Sequence, residues 1–151
     1  MKIVVSPNPY RDKQFKNARQ ACSILREAGA EVALCLPFDV DKTFEIPHDL
    51  RFQDIQKEIK TADMLICFGG DGTILHSSKI ATEHNLPILG VNIGTMGFIA
   101  ELESGEIELL RRIPKGEYTV EERTMLDVSV GNGRQTIFHE TALNDAVITK
   151  G

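Results

Sequence analysis

The chain has 151 residues, 42% of them hydrophobic and 26% charged, which is the balance of a globular protein that can bury one domain core, or one core and the start of a second. Its formal net charge of -5, with basic residues scattered among acids, provides no basic face for a phosphate backbone, so we expect no nucleic-acid partner. No apolar run approaches the ~20 residues of a membrane-spanning helix, and the first residues are too few for a signal-peptide core. We therefore expect a cytoplasmic protein without membrane contact.

The first two thirds of the chain alternate between strand and helix patterns. Residues 2–6 form a β-branched run ended by Pro7-Asn8-Pro9, which predicts a buried first strand and a turn. From Arg11 to Ala28 apolar side chains recur at three- and four-residue steps, and Gly29 follows where a helix cap belongs, so this segment predicts an amphipathic helix. The same patterns predict strands at 32–36, 64–68 and 87–93, and helices near 52–59, from residue 73, and at 105–112.

This alternation predicts an α/β domain over residues 1–116, with a mainly parallel sheet and flanking helices. Ligands of such sheets bind outside the carboxyl ends of the strands. From Leu126 to Val130 apolar and polar residues alternate, Gly131-Asn132-Gly133 is typical of a turn, and residues 136–149 are again strand-like. We therefore predict the start of an all-β second domain over residues 117–151. Because the chain stops inside this pattern, we expect that second domain to be truncated.

The strongest motif is Gly69-Gly70-Asp71-Gly72-Thr73, between a predicted buried strand and a predicted helix. Glycines let the backbone approach phosphate oxygens, and a helix start adds partial positive charge. The carboxylate of Asp71 could accept a hydroxyl proton or help to hold Mg²⁺ beside a nucleotide triphosphate. An Asp-Gly pair alone would more often be a tight turn. Three glycines around one acid after a buried strand favour a nucleotide site.

A second glycine-rich segment, residues 90–98, follows the next predicted strand. Two such exits from a parallel sheet would form the walls of one crevice. Asn92 could donate to a phosphate, and Phe98 could offer an aromatic face to a base. The alternative is an ordinary tight turn with a core aromatic residue.

Two weaker candidates lie on either side of this segment. Asn144 and Asp145 place an amide beside a carboxylate, a combination that can bind ribose hydroxyls or an adenine edge, although Asn-Asp is also a frequent turn. His76, one helical turn beyond Thr73, could face a phosphate or ribose, or could be a solvated helix residue. We interpret Cys22, Cys35 and Cys67 as reduced core residues, because each lies within an apolar pattern and the set lacks metal-ligand spacing.

With the segments 69–73, 92–98 and 144–145 in this order and at family-like separation, the sequence resembles the NAD kinase family over essentially its whole length, as an amino-terminal fragment. Diacylglycerol and sphingosine kinases share the first motif, and 6-phosphofructokinases carry it with Ser in place of Thr. The second and third motifs make the resemblance specific.

The resemblance implies transfer of the γ-phosphoryl group of ATP, with Mg²⁺ present, to the 2′-hydroxyl of the adenosine ribose of NAD, giving NADP. It also implies a site in the crevice between the two domains, often across a homo-oligomer interface in a dimer or tetramer. Asp71 would be the proton acceptor. The residues implied in NAD binding are Asp71, Gly72, His76, Phe98, Asn144 and Asp145. Those implied in the ATP phosphate loop are Gly69, Gly70 and Thr73.

Two other functions are compatible with the motifs. One is a lipid or sugar kinase that shares the glycine-aspartate loop. The other is a non-catalytic nucleotide-binding fragment, because family members continue well beyond residue 151.

Overall fold

Strands and helices alternate through the first of two units, Met1–Thr119 and Val120–Gly151. The structure is a computed structural model that describes residues 1–94, 97–143 and 145–147. The strands of the first unit are β1 (Lys2–Pro7), β2 (Glu31–Leu34), β3 (Met64–Gly69), β4 (Ile88–Asn92) and β5 (Leu102–Glu103). Its α-helices are α1 (Lys16–Glu27), α2 (Ile55–Glu58) and α3 (Asp71–Glu83), and its 3₁₀ helices are Lys13–Phe15, Ile59–Thr61 and Ser104–Lys115.

The five strands form one parallel sheet in the order β2-β1-β3-β4-β5. Val4 in the middle of β1 pairs with Ala33 on one side and Leu65 on the other. The chain runs from β1 to β2 and then crosses to β3 on the opposite side of β1, so the strand order reverses between β1 and β3. A reversal of this kind opens a crevice at the carboxyl ends of the two strands.

Helices cover both faces of the sheet, which explains why β1 and β3 are almost continuously buried. On one face, Ile3 and Val5 pack in the core cluster that includes α1 and the 3₁₀ helix Ser104–Lys115. On the other face, Val4 packs in a smaller cluster with Ala81 of α3 and Ile59. The predicted α/β class with a parallel sheet and flanking helices is confirmed; the short edge strand β5 was not predicted.

The first helix begins later than its pattern predicted. It starts at Lys16 instead of Arg11, because Gln14 and Phe15 have φ angles of 55° and 54°, which a right-handed helix does not contain. The buried carboxylate of Asp12 accepts hydrogen bonds from the first-turn backbone, at 3.0 Å from Asn17 N and 2.9 Å from Ala18 N. Residues 8–15 are therefore a structured loop that leads from β1 into α1.

The second unit contains a two-stranded antiparallel hairpin, β6 (Leu126–Gly131) and β7 (Thr136–Ala142). Asn132 stabilises its turn, since Oδ1 accepts from the backbone N–H groups of Arg134 and Gln135, each at 3.1 Å. The register shifts at Val130 and Gly131, where a β-bulge is found. The strand predicted at 136–149 is observed as β7, which ends at Ala142, and residues 144, 148 and 149 of that prediction lie outside the described residues. Among the described residues of both units, no helix is long and apolar enough to cross a membrane.

Candidate nucleotide-phosphate site

Three loops meet at the carboxyl edge of the sheet, one after each of β1, β3 and β4. The backbone N–H of Asn8, just after β1, donates to the carbonyl of Phe68 in β3 at 2.8 Å. The N–H of Ile93, just after β4, donates to the carbonyl of Gly69 at 3.2 Å. Both contacts involve the end of β3, so the glycine-aspartate motif lies between the other two loops.

A cavity of about 380 Å³ opens in this region, at the reversal of strand order between β1 and β3. It is an open, mainly polar depression. Its lining residues are Asn8, Arg11, Phe38, Gly70, Asp71, Gly72, Thr73 and His76.

Helix α3 starts directly at the cavity, with Gly70 as its N-cap residue and Asp71 as its first residue. The buried Thr73 anchors this start, because its Oγ1 accepts a hydrogen bond from Asn8 Nδ2 at 2.9 Å. A Cβ on Gly69 would lie 2.3 Å from the same Oγ1, so only glycine allows the strand and the helix to approach this closely. Gly69 thus has a packing role, whereas a Cβ on Gly72 would meet no atom within 4 Å.

The carboxylate of Asp71 is held by the loop that follows β4. The backbone N–H of Phe98 lies 3.2 Å from Oδ1 and 3.1 Å from Oδ2, and the N–H of Ile99 lies 3.3 Å from Oδ1. The start of α3 adds the partial positive charge of its free N–H groups. These backbone donors orient the carboxylate while its side chain stays half-buried beside the cavity.

The segment after β4 differs from its prediction at Asn92. Asn92 is only 1% exposed, and its Nδ2 donates to the Glu103 carboxylate at 3.2 and 3.0 Å. Its Oδ1 accepts from Gly94 N at 3.2 Å. The expected donation from Asn92 to a phosphate is therefore wrong: the side chain instead fixes the loop against β5. Phe98 is 94% exposed, so it is not the core aromatic of the alternative interpretation.

His76 is exposed and does line the cavity. Its Nε2 lies 3.0 Å from the carbonyl oxygen of Pro37, and its ring makes an edge contact with Phe38 at a centroid distance of 5.7 Å. Asp145 is an exposed residue of the second unit, and Asn144 lies outside the described residues.

Sequence reasoning missed Asn8, Arg11 and Phe38 as lining residues. Arg11 had been assigned to a helix that in fact starts five residues later, at Lys16. The Pro-Asn-Pro turn after β1 was a usable signal, but only the strand order brings that turn beside the motif at residues 69–73.

The three cysteines are free and buried, as predicted, and they do not line the cavity. Burial raises the pKa of Cys22 to about 11 and the pKa values of Cys35 and Cys67 to about 12. Within the described part of the chain, no group of three or more His, Cys, Asp or Glu residues could hold a metal ion.

The fold and the candidate site together define a doubly wound α/β domain, with a crevice at the carboxyl ends of its strands that is lined by glycines and one carboxylate. Residues 2–118 match the family model described as the ATP-NAD kinase N-terminal domain. The chain belongs to the NAD kinase family, which confirms the resemblance read from its motifs.

Curated relatives agree with this assignment. The chain is 30% identical to the NAD kinase of Acetivibrio thermocellus over 155 residues, covering 100% of this chain and 51% of the relative. It is 34% identical to the NAD kinase of Caldanaerobacter subterraneus subsp. tengcongensis over 151 residues, covering 99% and 52%. The chain thus spans about half the length of the curated relatives it matches.

A solved structure shares the fold. The crystal structure of yeast NADH kinase in complex with NADH aligns with a TM-score of 0.69 at 20% identity, covering 95% of this chain and 47% of that one.

Proposed function

We propose that the protein transfers the γ-phosphoryl group of ATP to the 2′-hydroxyl of the adenosine ribose of NAD, producing NADP. One observation carries this proposal beyond family membership. Asp71 is the only carboxylate among the described residues that line the cavity, and the N–H groups of Phe98 and Ile99 orient it at the start of α3. A single oriented carboxylate beside an open polar depression is an arrangement suited to the phosphorylation of a hydroxyl.

Asp71 would act as the general base. Its carboxylate accepts the proton of the 2′-hydroxyl, the ribose oxygen bonds to the γ-phosphorus, and the bond from that phosphorus to the β,γ-bridging oxygen breaks to release ADP. A well-placed base contributes about 10²- to 10⁴-fold in rate. The two N–H donors keep the carboxylate in one orientation, so little reorganisation is needed before the transfer.

The ATP phosphates would lie against Gly70 and the first turn of α3. The amides at a helix start attract anions, and the open space beside Gly72 leaves the backbone accessible. Thr73 also lines the cavity, and its Oγ1 accepts a hydrogen bond from Asn8 Nδ2, which leaves its O–H available to donate. We therefore propose the backbone amides of Gly70 and Gly72 and the hydroxyl of Thr73 as the phosphate contacts, with Gly69 supporting the loop.

The residues present are compatible with Mg²⁺ carried in by the nucleotide. Mg²⁺ in kinase sites is typically held by one or two carboxylates together with substrate phosphates and water, and one carboxylate lines this cavity. Asp71 is the residue that would contact it. When bound, the ion would neutralise charge on the transferred phosphoryl group.

NAD would contact Gly72, His76 and the exposed ring of Phe98, with Asn144 and Asp145 binding its adenosine part. We further propose that residues 1–116 form the nucleotide-phosphate domain and residues 117–151 begin the NAD-binding β domain of a cytoplasmic homo-oligomer. Family membership supports the oligomer, and three buried free thiols fit a reducing compartment.

The test is NADP formation from NAD, ATP and Mg²⁺ by the full product of the reading frame that encodes this chain. Asp71→Asn should lower the rate by about 10²- to 10⁴-fold, while Glu45→Gln, which removes an exposed carboxylate outside the cavity, should leave it unchanged. A folded product that forms no NADP would overturn the proposal, and assays with a diacylglycerol or a sugar phosphate would then identify the acceptor.

A further inference from the structure

We propose that Arg11, in the loop after β1, is the cation that binds the phosphates of the nucleotide donor. The inference rests on the proposed function, because it assigns a further residue to the same site. The negative charge of the donor phosphates calls for a cation that the glycine-aspartate loop does not contain. The glycine-aspartate loop contributes one negative side chain and no lysine or arginine, yet the donor brings three or four negative charges of its own.

Arg11 is positioned between two of the three loops. A Cβ built on Gly94, after β4, would lie 3.2 Å from one terminal guanidinium nitrogen of Arg11, and one built on Gly70 would lie 3.9 Å from the same atom. The guanidinium therefore lies close to the glycine-rich loops that follow β3 and β4. At these two positions the absence of a side chain leaves space between the backbone and the cation.

The guanidinium of Arg11 has no protein partner within the described residues, where neither a hydrogen bond nor an ion pair involves its side chain. Arg19 and Arg111 of the first unit differ in this respect, since Arg19 pairs with Asp49 and Arg111 pairs with Glu27. Asp71 lines the same cavity, and among the ion pairs of the described residues none joins it to Arg11. The cavity thus presents a cation and a carboxylate that do not neutralise each other.

The loop that carries Arg11 is held in place from both ends. Asn8 N donates to the Phe68 carbonyl at 2.8 Å, and Asp12 N donates to the Asn8 carbonyl at 2.9 Å. The side chain of Asp12 is fully buried and bonds the start of α1. The backbone on either side of Arg11 is therefore anchored to the sheet and to a helix, so the guanidinium approaches the cavity from a fixed base.

Among the described lining residues Arg11 is the only permanent cation, since His76 is the other basic residue and its Nε2 already contacts the Pro37 carbonyl. A guanidinium suits this role because its planar set of N–H donors matches two phosphate oxygens at once. Arg11 would then bind donor phosphates beside the start of α3, close to Gly70. The acceptor hydroxyl would remain next to Asp71.

The test uses isothermal titration calorimetry of the 151-residue chain with inorganic tripolyphosphate and with ATP. Arg11→Gln should weaken binding of both about 10- to 100-fold, the range expected for loss of a charge-assisted contact. Arg11→Lys should recover part of the lost affinity, because lysine restores the positive charge but cannot make a bidentate hydrogen bond to phosphate. Arg51→Gln is the matched control, because Arg51 is exposed and does not line the cavity. The affinity of this variant for tripolyphosphate and for ATP should stay within about twofold of the parent chain.

Three results would overturn the inference: wild-type chain that does not bind tripolyphosphate, Arg11→Gln that binds like the parent, or Arg51→Gln that weakens binding equally. Circular dichroism establishes that each variant is folded.

A second measurement is the steady-state rate of NADP formation. In that assay Arg11→Gln should raise KM for ATP and leave KM for NAD unchanged. Arg11-dependent binding without NADP formation would refute the proposed function alone, whereas NADP formation with an unchanged KM for ATP would refute the role of Arg11 alone.

Discussion

Gly97 lies directly against the carboxylate of Asp71: a Cβ added to Gly97 would stand 2.5 Å from Oδ1 and 3.3 Å from Cγ. No real side chain tolerates the shorter distance, so the loop after β4 reaches Asp71 only because this residue is glycine. That approach allows the next two residues, Phe98 and Ile99, to donate their N–H groups to the carboxylate. The orientation of the proposed base therefore depends on a glycine that is distant in sequence.

Gly97→Ala should separate the loop from Asp71. We expect the rate of NADP formation to fall about 100-fold, because a displacement near 1 Å in a reacting group has an effect of that size, and we expect a stability loss of about 1–3 kcal/mol from overpacking. The measurements are a steady-state assay and urea unfolding. Gly105→Ala is the control, since a Cβ at Gly105 meets no atom within 4 Å. Full activity in folded Gly97→Ala would show that the contact does not set the carboxylate position.

The hydrogen bond from Asn8 Nδ2 to Thr73 Oγ1, 2.9 Å long, links the loop after β1 to helix α3. A double-mutant cycle of Asn8→Ala and Thr73→Val, measured by urea unfolding, should give a coupling free energy of about 0.5–1.5 kcal/mol, the usual net value of a partly buried hydrogen bond. Effects that simply add, within about 0.3 kcal/mol, would mean that the bond contributes nothing to stability.

The motif at residues 69–73 was predictable because its information is local. A continuous apolar run at Met64–Phe68 identifies a strand covered on both faces, and glycines placed directly after it identify the strand exit. The start of α3 at Asp71 lies two residues before the predicted start at Thr73. Here pattern and propensity agree with the tertiary structure, so the sequence alone located the carboxylate at the carboxyl edge of the sheet.

Arg11 and Asn92 were misjudged because their surroundings depend on features that the sequence pattern does not reveal. The helical spacing of apolar residues continues back to Arg11, but Gln14 and Phe15 adopt positive φ angles that no periodicity reveals. Asn92 follows a strand just as a ligand-binding residue would, yet the unpredicted strand β5 brings Glu103 within 3.0 Å of its amide. For Arg11 the deciding feature is a local backbone conformation, whereas for Asn92 it is a neighbour on another strand that only the strand order identifies.

Helix α1 ends in a left-handed cap that the sequence did predict. Gly29 has φ +94°, and its N–H and that of Ala30 donate to the carbonyls of Arg26 and Leu25 at 3.0 and 2.9 Å. Gly29→Ala should lower the free energy of unfolding by about 1–2 kcal/mol for conformational reasons alone, because a Cβ there meets no atom within 4 Å. The test is urea unfolding of Gly29→Ala and of Gly105→Ala, since Gly105 does not have a left-handed φ. Equal losses in the free energy of unfolding would contradict the prediction.

The buried thiols should make stability fall at alkaline pH. Burial, assisted by the nearby carboxylates of Glu58 and Asp54, raises the pKa of Cys35 from 9.0 to about 12. Above about pH 9 the unfolded chain releases this proton while the folded chain keeps it, so the stabilisation is complete below pH 9 and is lost as pH rises toward 12, by up to about 1.4 kcal/mol per pH unit. Urea unfolding in reductant at about pH 8 and about pH 10 should therefore show a smaller decline for Cys35→Ala than for the parent chain. The lysines and tyrosines are present in both proteins, so an equal decline would mean that the Cys35 thiol ionises as readily in the folded chain as in the unfolded one.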